Sequence, residues 1–403
     1  MDILHLAYKY RLIILFFISF ISAMMVYKPI LRIALKRNIV DVPNARKLQK
    51  HPVPIMGGIA VFFGIVVGLC FYKTMIAYTI LFPVLGVMTV MLYLGFLDDS
   101  LSIKPTTRLI IEIISAVTLM YGMKCFICNF QGMWGIELLS APIGILLSII
   151  TFCGIINAIN MIDGIDGLSS AFCMLIMGCF GIYCFIGHYY SFSVLATVGI
   201  GALLPFFLHN VFGYSTKMFI GDGGTLMMGS AISAMVFAIL SVQEPHGEVD
   251  LGGNFSRISF TLAVLSMPIA DTLRVMFSRM FHRKSPFSPD KNHLHHLFVA
   301  VGYSYISITI IEIILDILVI SSFLLTWYLG GSLELQLYVT VGVAVLFNML
   351  SVFILTKSAK RNDGIYRVVK RIGAHSHVER KGLWLKIQNL IDNKFEIGQA
   401  KEI

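Results

Sequence analysis

Charge is what this chain has least of. Only 13% of its 403 residues are Asp, Glu, Lys or Arg, while 57% are hydrophobic. A soluble globular domain carries about 25% charged residues, so a water-soluble architecture is excluded. A membrane β-barrel needs short strands that alternate apolar and polar residues, and no such dyad pattern runs through the sequence. There is no Gly-rich Walker loop, no CxxC matched by a second CxxC, and no RNA-binding signature. P-loop chemistry, a zinc ribbon and a nucleic-acid partner are thereby set aside. No internal repeat stands out, which counts against a transporter built from inverted repeats. The seven cysteines form no framework. Five lie in apolar runs as small fillers. Cys125 and Cys128 make a lone CFIC, read as two thiols near a loop, with only a weak signal for a disulfide.

What is present is a succession of apolar runs. A hydrocarbon core takes about 20 residues per helix, and about eleven spans can be drawn, including 55–72 and 258–280. The first run, Leu12 to about Leu35, is too long for a signal-peptide core and is read as a retained helix. The fold expected is all-α and polytopic. The membrane domain is expected over 1–356 and a basic tail over 357–403, where "GLWLKIQNLI" has the pattern of an interfacial helix.

The basic residues are unevenly placed. Of 31 Lys and Arg, 23 fall in one alternating set of loops together with the tail, and five in the other set. The positive-inside rule puts the richer set, and the C-terminus, in the cytoplasm, with the N-terminus outside. Lys9 and Arg11 argue mildly the other way.

That same set holds the polar motifs. "FLDDS" gives Asp98 and Asp99, "NMIDGIDG" gives Asp163 and Asp166, "IGDGGT" gives Asp222, and "PDKNHLHHLF" gives His293, His295 and His296. Each has a plain structural reading: a helix cap, an Asx turn, an interfacial patch. Together they put five carboxylates beside an apolar phase, which costs free energy unless something pairs them. A hard divalent cation such as Mg²⁺ takes oxygen ligands and works with phosphates. The nearby Lys and Arg suit a nucleotide diphosphate. Glycines around Asp163 and Asp166 permit a tight loop. Asn157 and Asn160, one turn apart on the preceding helix, can hydrogen-bond a polar ligand. Glu312 and Asp316 lie inside an apolar run and are expected to have a packing role or a local partner.

The chain resembles the polyprenyl-phosphate N-acetylhexosamine-1-phosphate transferases, the WecA/MraY type, from about Asp41 to Gly302. The resemblance rests on "DVPNARKLQKHPVPIMGG", "LGFLDDSLSIKPTTRL", "NAINMIDGIDGL", "HNVFGYSTKMFIGDGGTLMMG", "MPIADTLRVMFSRM" and "SPFSPDKNHLHHLF", in the family's order. It implies transfer of a sugar-1-phosphate from a UDP-sugar to undecaprenyl phosphate, with UMP released, at the cytoplasmic face of a bacterial inner membrane. The "HLHH" form looks like the WecA branch, which uses UDP-GlcNAc; the MurNAc-pentapeptide branch has three adjacent histidines. Another UDP-HexNAc, or UDP-MurNAc-pentapeptide, stays open as donor. A transporter is the non-enzyme alternative, but its carboxylates should lie at the midplane.

By the same resemblance, Asp98 and Asp99 stand near the lipid phosphate, one as its base. Asp222 is the main Mg²⁺ ligand, with Mn²⁺ a substitute. Asp163 and Asp166 contact nucleotide and metal. Arg279 and His293 grip the diphosphate, and His295 and His296 complete that motif. Lys50, His51, Lys104 and Arg108 are further candidates for phosphate contacts. Ser100 and Thr225 depart from the family's usual residues without removing function. Homodimers occur in the family. The residues leave an in-line displacement and a ping-pong route through an Asp nucleophile both open.

Overall fold

The computed structural model describes residues 3–42, 51–72, 74–241, 254–285, 291–377 and 381–392. Its helices in chain order are α1 (Ile3–Lys36), α2 (Gly57–Cys70), α3 (Met75–Leu101), α4 (Pro105–Met123), α5 (Ala141–Met161), α6 (Leu168–Ile186), α7 (Tyr190–Phe212) and α8 (Gly221–Ile239). They continue with α9 (Arg257–Val264), α10 (Ser266–Phe281), α11 (Leu294–Val301), α12 (Tyr305–Tyr328), α13 (Leu333–Phe353), α14 (Ala359–Arg361), α15 (Gly364–His375) and α16 (Leu383–Asp392). Two small antiparallel hairpins complete it, β1 (Val40–Asp41) with β2 (Val53–Pro54), and β3 (Asn129–Met133) with β4 (Ile136–Leu138). The chain is an all-α, multi-pass membrane protein.

Among the described residues, nine helices are long and apolar enough to cross a membrane, or ten if one bent pair counts as a span. The eleven runs drawn from sequence differ from this in two places. The run at 55–72 forms α2, of only 14 residues. The run at 258–280 is broken into α9 and α10, which meet at 73°. Pro268, in the first turn of α10, has no N–H to continue the α9 ladder. The break exposes backbone groups in an apolar phase, where they must find partners. Asp316 supplies one: its Oδ1 accepts from the Met267 N–H (3.0 Å) and the Ser266 hydroxyl (2.6 Å). Asp316 is fully buried on α12, so the local partner expected for it from sequence is the helix break. Asp316→Ala leaves both donors unsatisfied, and a loss of about 1–3 kcal/mol is expected. Thermal unfolding in detergent checks this; an unchanged midpoint would remove the capping role.

The centre of the bundle is α8, whose residues are nearly all buried. Its glycines let neighbouring backbones approach, the small-residue packing that membranes favour. A Cβ on Gly95 of α3 would lie 2.2 Å from the Gly223 nitrogen, and one on Gly58 of α2 would lie 2.5 Å from the Gly224 Cα. Close contact with α2 and α3 thus fixes the α8 N-terminus, which carries Asp222. None of the seven cysteines, all among the described residues, forms a disulfide, Cys125 and Cys128 included.

Candidate active site

Four helix ends build the acidic centre. Asp98 and Asp99 close α3, Arg108 and Glu112 lie on the first half of α4, Asn157 and Asn160 end α5, and Asp222 opens α8. Arg108 sits among them. Its Nε donates to Glu112 Oε1 (3.0 Å), Nη1 to Asp98 Oδ2 (3.1 Å), and Nη2 to the side-chain oxygens of Asn160 (3.1 Å) and Asn157 (3.3 Å). Nη1 also lies 3.7 Å from Asp222 Oδ2. Such a planar fork, held on several sides, is what a guanidinium provides and an ammonium does not.

The amides finish the frame. Asn157 Nδ2 donates to Glu112 Oε2 (2.9 Å), and Asn160 Nδ2 donates to Asp222 Oδ1 and Thr225 Oγ1 (both 2.9 Å). The Asp222 N–H donates to Asp99 Oδ2 (2.9 Å), and Ile103 N–H to Asp98 Oδ1 (2.9 Å). Gly221 has φ +74°, and a Cβ there would sit 2.7 Å from Asp99 Oδ2. A side chain is therefore excluded both by backbone conformation and by the carboxylate.

The "DGIDG" loop separates its two aspartates. Asp163 is half-buried and accepts from the Ser169 hydroxyl (2.5 Å). Burial pushes its carboxyl up to about 7, the Ser169 hydrogen bond opposes this, and the charges of Asp222 and Asp166 add to it. Asp166 turns the other way and pairs with Lys217 Nζ (2.5 Å). Asn210 ties the loop to the α7–α8 connection: its Oδ1 accepts from Gly167 N–H (2.7 Å), and its Nδ2 donates to the Met218 carbonyl (2.9 Å).

The histidine helix α11 lies on this loop. A Cβ on Gly164 would fall 2.3 Å from His295 Nε2. His295 is 1% exposed, and neither of its ring nitrogens has a hydrogen-bond partner among the described residues. Burial, with His296 and His293 beside it, holds its imidazole down at about 3. The His295 imidazole is thus held in its neutral form, with hydrogen-bonding nitrogens and no positive charge. His293 stacks parallel to it at 5.8 Å and bonds through Nδ1 to Asp271 Oδ2 (2.9 Å). Asp271 also accepts from Leu294 N–H (3.2 Å) and from Arg274 Nη2 (2.6 Å), which in turn reaches the Asn292 carbonyl (2.7 Å). Arg279 is buried on the last turn of α10. Gly164→Ala should displace His295, and a misplacement of this size costs roughly 10²-fold in turnover. Gly154→Ala, with no heavy atom within 4 Å of the added Cβ, should be silent. Equal turnover of the two would dissociate His295 from the reaction.

Other residues expected from sequence lie elsewhere. Lys104 is exposed just before α4. Lys50 and most of "SPFSPD" fall outside the described residues. Sequence reasoning left Asp271, Arg274, Glu112, Asn210 and Lys217 without a role and set Arg108 among the lesser phosphate candidates. "PIADTLR" did carry a signal, two opposite charges three apart inside an apolar run.

A divalent cation fits this centre chemically. Asp98, Asp99, Asp163 and Asp222 outnumber the one guanidinium among them, their oxygens are hard donors, and the Asp222 side chain keeps 35% exposure. Among the described residues, no three His, Cys, Asp or Glu side chains are grouped so as to hold a metal ion by themselves. The ion would complete its sphere with water and substrate oxygens, as Mg²⁺ commonly does.

Residues 81–241, which contain the aspartates just described, match the model of glycosyl transferase family 4. The resemblance read from the motifs holds. An undecaprenyl-phosphate alpha-N-acetylglucosaminyl 1-phosphate transferase of Salmonella typhi is 28% identical over 363 residues, covering 87% of this chain and 91% of the relative. The protein of the same name from Escherichia coli (strain K12) is 26% identical over 358 residues, covering 87% and 92%. A probable undecaprenyl-phosphate N-acetylglucosaminyl 1-phosphate transferase of Bacillus subtilis (strain 168) is 28% identical over 324 residues, covering 78% and 85%. Together these similarities span the acidic centre and most of the bundle around it.

Proposed function

We propose that this protein transfers GlcNAc-1-phosphate from UDP-GlcNAc to undecaprenyl phosphate, releasing UMP. It would thereby start a lipid-linked cell-surface glycan at the cytoplasmic face of the inner membrane. The observation that carries this reading is the convergence of Asp98, Asp99, Asp163 and Asp222 around Arg108 at adjoining helix ends. The names of the relatives support the transferred group and the acceptor. The excess of Lys and Arg in the same set of loops supports the cytoplasmic face.

Phosphoryl transfer asks a protein for positioning and charge stabilisation more than for covalent chemistry. An oxygen of the lipid phosphate attacks the β-phosphorus of the donor. The bond from that phosphorus to the bridging oxygen breaks, and UMP leaves with the oxygen. Both oxygens of Asp98 are engaged, by Ile103 and Arg108, whereas among the described residues Asp99 has only Oδ2 hydrogen-bonded. Asp99 is therefore the better placed to take a proton from the lipid phosphate. Arg108 can lend a guanidinium to the equatorial oxygens as their charge builds, and neutral His295 can donate a hydrogen bond. Asp222 and Asp163 would hold Mg²⁺, which would supply further neutralisation of the diphosphate charge.

Membranes containing the protein, given undecaprenyl phosphate, Mg²⁺ and a panel of UDP-sugars, test the proposal. Expected is UMP release with UDP-GlcNAc, abolished by EDTA. Release with another UDP-HexNAc alone would change the donor and keep the chemistry. No release with any donor, from folded protein, would reject the transferase reading.

A further inference from the structure

Beside the acidic centre lies a cavity of about 870 Å³, within the size range of small-molecule sites. One wall comes from the loops already described: Asp166, Lys217, and Phe212 at the end of α7. The opposite wall comes from the C-terminal tail through His377, Trp384 and Gln388. The tail's place in the site has no counterpart in the sequence expectation of an interfacial helix.

The tail is built to hold that position. Trp384, Gln388 and Asp392 recur every four residues, so they share one face of α16, while Leu383 and Leu390 are more than 70% exposed on the others. Asp392 anchors the far end. Its carboxylate accepts from the N–H groups of Tyr214 (3.0 Å), Ser215 (3.4 Å) and Thr216 (3.2 Å) and from the Thr216 hydroxyl (2.7 Å). Those residues belong to the connection that carries Lys217. Trp384 packs on Phe212 with ring centroids 4.5 Å apart. Upstream, Ser304 is bonded to the Ser376 hydroxyl and carbonyl (3.1 and 2.9 Å), and His377 Nε2 is 3.1 Å from the Gly302 carbonyl. Both ends of the wall are therefore fixed to the loops that frame the cavity.

The lining chemistry selects the occupant. The lining is largely apolar, from Leu31, Leu35, Val211, Phe212 and Ile306, with His51, Lys217 and Gln388 as polar points, which suits a flat ligand with an apolar face and a polar edge. Its lysine is already paired with Asp166, so it does not favour a bare phosphate. Aromatic faces and an amide suit a nucleobase, which stacks and hydrogen-bonds along its edge. The diphosphate would lie on the adjoining acidic centre, one loop away through Asp163–Asp166.

We propose that α16 is a wall of the donor site and that Trp384 and Gln388 contact the nucleoside half of the UDP-sugar. This rests on the transferase reading above. Tryptophan fluorescence isolates the contact. The chain has three Trp. Trp327 ends α12, some 33 Å along the helix from Tyr305 at the cavity, and Trp134 is bonded to Glu334 and Tyr338 near that same far end.

The experiment titrates UDP and UDP-GlcNAc, with Mg²⁺, into wild type, Trp384→Ala, Trp384→Phe, Gln388→Ala and Leu390→Ala. Expected is a UDP-dependent fluorescence change in wild type that is absent in Trp384→Phe. Trp384→Ala should weaken UDP affinity about tenfold or more, and should act on turnover through KM more than kcat. Trp384→Phe keeps the packing on Phe212 and should lose less than the alanine. Leu390→Ala, on the exposed face, should match wild type. Wild type that binds UDP and turns over, with unchanged affinity in both Trp384→Ala and Gln388→Ala, overturns the wall and leaves the function standing. Tighter binding in Trp384→Ala overturns it as well, because the helix would then obstruct the cavity. No UDP affinity or turnover in wild type overturns the donor reading and the wall with it.

Discussion

Asp222→Asn is expected to fold and to release almost no UMP, a loss of about 10³-fold or more. The substitution is nearly isosteric. Asn160 Nδ2 still finds an oxygen at position 222, and the Asp222 backbone N–H still reaches Asp99. What is lost is one negative charge on a carboxylate whose side chain keeps 35% exposure. A hard cation is held by charge as much as by geometry, so the variant should also need far more Mg²⁺ for whatever turnover remains. Initial rates of UMP release against Mg²⁺ concentration, with thermal unfolding as the control for folding, measure this. Full activity at the wild-type Mg²⁺ requirement would sink the metal role of Asp222.

Arg108→Ala should fail in two separable ways. Turnover should fall roughly 10²–10³-fold, the typical cost of removing one group that stabilises transition-state charge. Stability should fall too, because Glu112, 1% exposed, would lose its guanidinium. Breaking a buried pair by removing one partner costs about 3–5 kcal/mol. The double variant Arg108→Met with Glu112→Gln separates the two effects. It removes the buried charge along with its partner, so stability should return, while turnover should stay low. Recovered turnover in the double variant would mean that Arg108 serves only to neutralise Glu112. Arg108→Lys should fall between, since an ammonium keeps the charge and loses the fork that spans α3, α4, α5 and α8.

The parts of the molecule legible in the sequence are those encoded over short distances. Apolar runs of span length translate directly into helices, because lipid leaves the backbone no other open-ended choice. The α9–α10 bend was hidden for the same reason: composition stays apolar across Leu265, and only Pro268 and the distant Asp316 mark the break. Within the site, the aspartates were legible because carboxylates beside an apolar phase demand an explanation. Their distribution was not. That Asp163 faces the acidic centre and Asp166 faces Lys217 depends on how a five-residue loop turns, and Lys217 is 51 positions away. Arg108 looked like one loop cation among several because its partners come from Asp98 to Asp222. Asp271 was obscured by lying in a span; its function is to hold His293, which is 22 positions on. The tail showed its amphipathic period but not its partner, since nothing local announces that Asp392 caps the turn at 214–216.

The most direct test of phosphoglycosyl transfer follows the β-phosphate. UDP-GlcNAc labelled with ³²P at the β-position is given to wild-type protein with undecaprenyl phosphate and Mg²⁺, and lipid and aqueous phases are counted. Attack at the β-phosphorus predicts label in the lipid and unlabelled UMP in water. Label released in water as UDP, with sugar alone on the lipid, would contradict it and make the reaction an ordinary glycosyl transfer.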